Sequence, residues 1–259
     1  MTGEPFEAAV LQDKLSQLGE PTAEFAVRGA GFVRNLVLAP MLIGTGLTLE
    51  ILLIGVLHIH HYDLLFLGVL LILSGITLVV RAVRNRGLRV VVYPEGLVQL
   101  HRGEARALCW EEISQVWQKK NDGFHLATRA WRGLQTLRLQ TADGRRLTFD
   151  DSLPRLAELS EIVCEATLPF LWLTAQATLE SGRALHFGNL RFSQQGLGRG
   201  KETWPWSDVQ KIKINSAHLS VYKKGKWTPG LVLALSEMPN SHVLVALLEE
   251  RVLVEKSSK

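Results

Sequence analysis

The chain has 259 residues, of which 47% are apolar and 21% charged, and a net charge of +4. A mean hydropathy of +0.11 is ordinary for a water-exposed domain and too low for a transporter built mainly of membrane spans. The only cysteines, Cys109 and Cys164, belong to no CxxC pair and no Cys/His set, so no disulfide framework and no zinc site are implied, and in a reducing cytosol both read as small buried side chains.

Near the N-terminus, residues 4–19 place Phe6, Val10, Leu11, Leu15 and Leu18 near one face of a helix that Gly19 and Pro21 would end. Its polar face carries Glu7, Asp13 and Glu20 against Lys14, a poor match for anionic lipid, and packing on protein or plain disorder fits it better. Two apolar runs follow. Residues 36–57 contain 22 positions with one charge, Glu50, and residues 64–80 contain 17 with none. About 17 to 25 helical residues cross a hydrocarbon core, so residues 35–83 predict a transmembrane helical hairpin. Arg28, Arg34, Arg81, Arg84, Arg86 and Arg89 flank the runs on the side away from the short connection, which carries no Lys or Arg. The positive-inside rule then puts both termini in the cytoplasm, with two spans in the cytoplasmic membrane.

Within the hairpin, Gly44, Gly46, Gly68 and Gly75 offer points of close helix approach. An intramembrane carboxylate such as Glu50 is by default a functional candidate, although in a two-span protein interhelical hydrogen bonding, self-association or snorkelling suits it better than a transport pathway. His58, His60 and His61 with Asp63 make a weak metal set and read as an interfacial loop.

After the hairpin the pattern alternates. Short β-rich runs at 88–94, 97–102, 106–110, 114–119, 134–141 and 145–149 are separated by Glu-Gly, Arg-Gly, Glu-Glu and Ala-Asp-Gly, the punctuation of hairpins. Residues 153–168 then predict an amphipathic helix carrying Leu156, Leu159, Ile162 and Ala166, capped by Asp151 or Ser152. The order recurs, with strands within 183–193 and 195–206, at 209–215, 218–223 and 231–235, and a helix over 240–252. Gly96, Leu97, Trp110, Glu112, Ile113 and Val116 in the first half correspond to Gly196, Leu197, Trp206, Asp208, Val209 and Ile212 in the second. Such a correspondence marks an internal repeat.

A Gly-Leu strand, a polar hairpin, Trp-x-acidic-apolar and a closing helix resemble the pleckstrin-homology-like domains of bacterial membrane proteins. The second half, with FGNLRFSQQGL, WPWSDVQKI and MPNSHVLVALL, is similar to an uncharacterised bacterial family that joins a transmembrane hairpin to such domains. The resemblance implies an α+β architecture: an N-terminal segment (1–34), the hairpin (35–83) and two tandem units (84–169 and 170–256). Each unit would be a curved antiparallel sheet or partly open barrel closed by its C-terminal helix. Related eukaryotic domains often hold phosphoinositides through basic residues of a hairpin. At that place this chain has Arg102, Glu104 and Arg106 in one copy and Arg199, Lys201 and Glu202 in the other, neither of them a phosphate cage.

Trp110 and Trp206, at matching places, read as packing residues. The densest basic patch is Lys211, Lys213, Lys223, Lys224 and Lys226 with Trp227. Beside an anionic leaflet each such cation is attracted by about 1 kcal/mol, while nucleic acid has no recognised motif here. No Gly-x-Ser-x-Gly, Gly-Lys-Ser/Thr loop, His-Glu-x-x-His or dinucleotide fingerprint occurs, so no enzyme, cofactor or metal is expected. The function expected is that of an anchored interaction or scaffold protein, self-associating through its hairpin, that binds a protein partner or anionic headgroups at the inner leaflet. The alternative is a small sensing or transport component using Glu50 and the loop histidines.

Overall fold

The computed structural model describes residues 18–27, 30–52, 62–84, 86–120, 134–215, 218–251 and 254–256. The expected helix over 4–19, except its last residues, and the loop histidines lie outside the described residues. The chain forms two compact units, residues 1–107 with 152–154, and residues 108–151 with 155–259.

The first unit begins with a strand absent from the sequence expectations. β1 (Ala23–Ala26) precedes two helices, α1 (Ala30–Glu50) and α2 (Tyr62–Arg84), and pairs antiparallel with β2 (Arg89–Tyr93), which follows them. The helix pair is thus an insertion between two adjacent strands. Phe25 and Val27 are buried, and Thr22 N–H to Val92 O (2.8 Å) and Val27 N–H to Leu88 O (2.9 Å) extend the ladder at both ends. β3 (Gly96–His101) and β4 (Glu104–Cys109) complete a sheet of order β1-β2-β3-β4.

Small residues let α1 and α2 approach closely. A Cβ on Gly46 would lie 2.8 Å from Gly68 O, and one on Gly75 would lie 2.9 Å from Ala39 O and 2.5 Å from Ile43. Gly44 meets nothing within 4 Å, so three of the four glycines noted in the sequence serve the contact. At the far end of α2, whose last carbonyls have no helical partner, His101 Nε2 donates to Arg84 O at 2.8 Å and the Arg102 guanidinium reaches Val83 O at 3.5 Å.

The second unit holds a 3-10 turn at Trp110–Glu112, then β5 (Ile113–Lys120), β6 (Leu134–Thr141) and β7 (Arg146–Asp150) in the order β5-β6-β7. The β6–β7 turn is locked by Asp143, whose carboxylate accepts from the Thr141 hydroxyl and, at 2.6 Å, from Arg145 Nε. These bonds, led by that of Thr141, hold its pKa down to about 2. Helix α3 (Leu156–Glu180) follows, and then the pattern repeats. β8 (Leu185–Phe187), β9 (Leu190–Phe192), β10 (Gly196–Arg199) and β11 (Glu202–Pro205) form one antiparallel sheet. After a second 3-10 turn at Trp206–Asp208, β12 (Val209–Ile214), β13 (His218–Lys223) and β14 (Leu231–Ala234) form another, followed by α4 (Ser241–Arg251). The same order of elements, four strands, a Trp-led turn, three strands and a helix, therefore occurs twice.

α3 extends well past the expected end at residue 168 and contains Pro169. Neither Asp151 nor Ser152 caps it. The N-cap is Arg155 at φ +59°, its guanidinium bonded to Glu158 at 2.6 Å. One half buries Leu156, Leu159 and Val163, and the other sends Ala175 and Leu179 into a core with Phe192, Trp204, Ile212, Leu219 and Leu244. Among the described residues, α3 is the helix long and apolar enough to cross a membrane by length and composition. The described apolar stretches of α1 and α2, Val37–Glu50 and Phe66–Val80, are shorter, so the two-span hairpin stays an inference. Cys109 and Cys164 are half-buried rather than fully buried, and neither is in a disulfide.

Every sheet is open, and its edges must be satisfied. The outer edge of β12 is taken by β15 (Val254–Lys256), parallel to it, with Ile212 opposite Val254. The matching edge of β5 is taken by one residue, Asn240. Its N–H donates to Val116 O (2.8 Å), its Oδ1 accepts from Val116 N–H (2.8 Å) and its Nδ2 donates to Ser114 O (2.9 Å). Asn suits the place twice over, because its φ of +54° is left-handed, a conformation asparagine tolerates better than most residues. Asn240→Ala would orphan the Val116 amide and keep the strained backbone, a loss of about 2–4 kcal/mol. Asn240→Gly, which relieves the strain, should lose less. Urea unfolding of the two variants checks the order, and equal stability of Asn240→Ala and the parent would refute the clamp.

Candidate interaction surfaces

The second copy converges on Trp204. This indole on β11 is 4% exposed and lies under the Lys223 ammonium, whose Nζ is 4.3 Å from the ring centre. At the benzo edge of the ring stands Gly230, where a Cβ would fall 2.1 Å from Trp204 Cη2, so only glycine fits. Trp204, not the repeat-matched Trp206, is therefore the buried anchor of this end. No periodicity distinguishes two tryptophans separated by a single proline, and the register Leu197 opposite Trp204 decides it.

The repeat residues differ in placement. Trp110 is 3% exposed, and its turn is closed by Glu112, which accepts from Cys109 N–H at 3.0 Å. Trp206 is half-buried, edge-to-face with Phe192 at 5.2 Å, and donates from Nε1 to Ser193 O at 3.1 Å. Gly96 and Gly196 both lie buried at the start of a strand, and a Cβ on Gly196 would come within 2.1 Å of Trp204 O.

The basic patch seen in sequence is two features. Lys211 and Lys213 lie on β12 with their ammonium groups 5.7 and 5.9 Å from the Tyr222 ring centre, a cation–π arrangement on one sheet face. Lys224, Lys226 and Trp227 instead belong to the β13–β14 loop, which is exposed from 224 to 230. Beside that loop, residues 199–202 of the β10–β11 turn and residues 230–232 line an open cavity of about 550 Å³. Sequence reading weighed Arg199 and Lys201 apart from the loop lysines because only the fold makes the turn and the loop neighbours.

The equivalent turn of the first copy is occupied internally. Arg106 pairs with Glu104 at 2.9 Å, and Arg102 reaches the end of α2. In the helix pair, Glu50 lies over the facing helix, where a Cβ on Gly68 would fall 2.8 Å from its Cγ. Among the described residues no three His, Cys, Asp or Glu side chains form a group able to hold a metal ion.

Seven strands followed by a helix occur twice in chain order, the first time with a helix pair between the first two strands, in a mixed helix-and-sheet protein. The chain belongs to a family of unknown function, DUF6585, whose model matches residues 8–256. No curated protein matches it.

Half-buried His242 is a titratable group of the second unit with a displaced pKa. His242 on α4 faces Thr167 of α3, Nε2 to Oγ1 3.5 Å, while its Nδ1 is buried without a partner. Burial lowers its pKa from 6.5 to about 4. The unfolded chain then binds the proton more readily, so stability is retained above pH 6.5 and is lost as the pH falls towards 4, by about 3 kcal/mol at most. Thermal unfolding of the parent should weaken over that range relative to His242→Leu. Parallel pH curves for the two proteins would show that this imidazole is not held neutral.

Proposed function

We propose that the protein is a non-enzymatic, membrane-anchored interaction protein. The α1–α2 pair crosses the cytoplasmic membrane twice, and the two repeats are pleckstrin-homology-like modules held at the inner leaflet. The observation that carries this reading is the surface of the helix pair. Val37, Met41, Leu47, Ile51, Phe66, Leu70, Leu73, Ile76 and Val80 are all exposed, and most of the exposed large apolar side chains among the described residues lie on α1 and α2. An apolar surface of this extent is costly in water and needs a covering.

Two further features agree. At 1.5 Å per residue, helices of 21 and 23 residues are about 31 and 34 Å long, the thickness of a hydrocarbon core. The hydroxyls of Thr45, Thr48, Ser74 and Thr77 are exposed, yet each donates to a carbonyl of its own helix, at 2.7–3.0 Å. These four hydroxyls need no water, which suits a lipid surround. α3 is no rival span, since one of its faces is buried in the second unit and its first turns carry Glu158, Glu161 and Glu165.

The modules offer partners strand edges and loops rather than a closed catalytic pocket. Glu50, packed over Gly68, acts as a polar contact between helices rather than as part of a transport path. Under alkaline carbonate the full chain should stay with the membrane pellet and float with liposomes. Glu50→Gln should leave both behaviours unchanged. Release into the supernatant would overturn the anchoring, and loss of a proton- or metal-dependent activity in Glu50→Gln would favour a sensing or transport role instead.

A further inference from the structure

We infer that the β13–β14 loop docks on an anionic lipid surface, with Trp227 entering the headgroup layer and Arg199, Lys201, Lys224 and Lys226 meeting lipid phosphates. This deepens the membrane-anchored reading and rests on it.

Trp227 is 97% exposed, yet the loop that carries it is not slack. Lys226 N–H donates to Lys223 O at 3.1 Å and Gly230 N–H to Val221 O at 3.0 Å, closing the stem from both sides. The same two ends, Lys223 and Gly230, abut the buried Trp204 ring. A large indole held out on a fixed stem forgoes the stabilisation of burial, and indoles favour the interface where an apolar ring and a polar N–H are both accommodated. Val232, 47% exposed, continues the apolar side of this arm.

Charge completes the match. Among the described residues, none of the side chains of Arg199, Lys201, Lys224 and Lys226 has a hydrogen bond or ion pair, and Glu202 is the one acidic residue of the neighbouring cavity. The corresponding turn of the first copy is neutralised by Glu104 and occupied with α2, so the duplicated fold does not impose free cations at this turn. A few cations around one aromatic tip suit a fluid anionic surface better than a shaped protein pocket. Each is attracted to such a surface, and a chain already tethered to the bilayer needs little more, because tethering raises the effective concentration.

The test uses the full chain in lipid nanodiscs of phosphatidylcholine alone or mixed with phosphatidylglycerol, the acyl chains brominated near the headgroup. Tryptophan quenching is compared among the parent, Trp227→Phe, and the double variant Lys224→Glu with Lys226→Glu. We expect stronger quenching of the parent in anionic discs. Trp227→Phe should lose that increment, and the double variant should fall to the level seen in neutral discs. Equal quenching of the parent and Trp227→Phe in anionic discs overturns the inference, leaves the anchoring intact and makes the exposed indole a surface for a protein partner. A chain that does not enter discs at all overturns the anchoring, and this inference with it.

Discussion

Four residues ahead of the helix pair, Ala23–Ala26, hydrogen-bond to strand β2 beyond it, and this pairing constrains what lies between. Adjacent strands are about 4.8 Å apart, so whatever is inserted must leave the sheet and return to nearly the same point. Two antiparallel helices of nearly equal length do this, and 21 residues against 23 meet the condition. Close glycine contacts at Gly46, Gly68 and Gly75 keep the two axes near enough for the chain to re-enter the ladder. The helix pair and the sheet are thereby coupled in folding, because the pair is a connection within the sheet rather than a tail attached to it.

The same economy governs the second unit, where strands left open by the four-plus-three arrangement are closed by later parts of the chain. β15 completes the edge of β12, while Asn240 completes β5 with three hydrogen bonds from one residue. α3 contributes buried side chains at both its ends, and Gln118 of β5 donates to Ser160 at 2.6 Å and Cys164 at 3.1 Å on its first half. A long helix with two differently placed buried stretches shows a weak overall periodicity. Its sequence therefore reads as a short amphipathic helix followed by an apolar continuation.

Repetition of the fold has not repeated its surface. In the first copy the cations of the β3–β4 turn are held by Glu104 and the end of α2, and Trp110 is sealed in the core. In the second, Trp204 takes the buried place, Trp206 moves to its rim, and the cations of the β10–β11 turn remain at the mouth of an open cavity. Residues that build a sheet are under the same packing demands in both copies. Residues on turns are not, and that is where the copies part.

Much of the architecture was legible without coordinates. Continuous apolarity marked the helix pair, alternation with Gly-punctuated turns marked the strands other than β1 and β15, and the shared Gly-Leu and Trp-x-acidic spacing marked the recurring order of elements, because each is a local consequence of chain geometry and burial. Tertiary structure alone decided the rest. β1 is four residues long and becomes a strand only because β2 lies beside it. Residues 199–202 and 230–232 come to line one cavity only through the fold, and five lysines between 211 and 226 divide into a sheet face and a loop for the same reason. Local sequence determines what each segment is able to form, while the pairing of distant segments determines which side chains meet, since hydrogen-bond ladders and buried contacts join residues whose separation along the chain carries no signal.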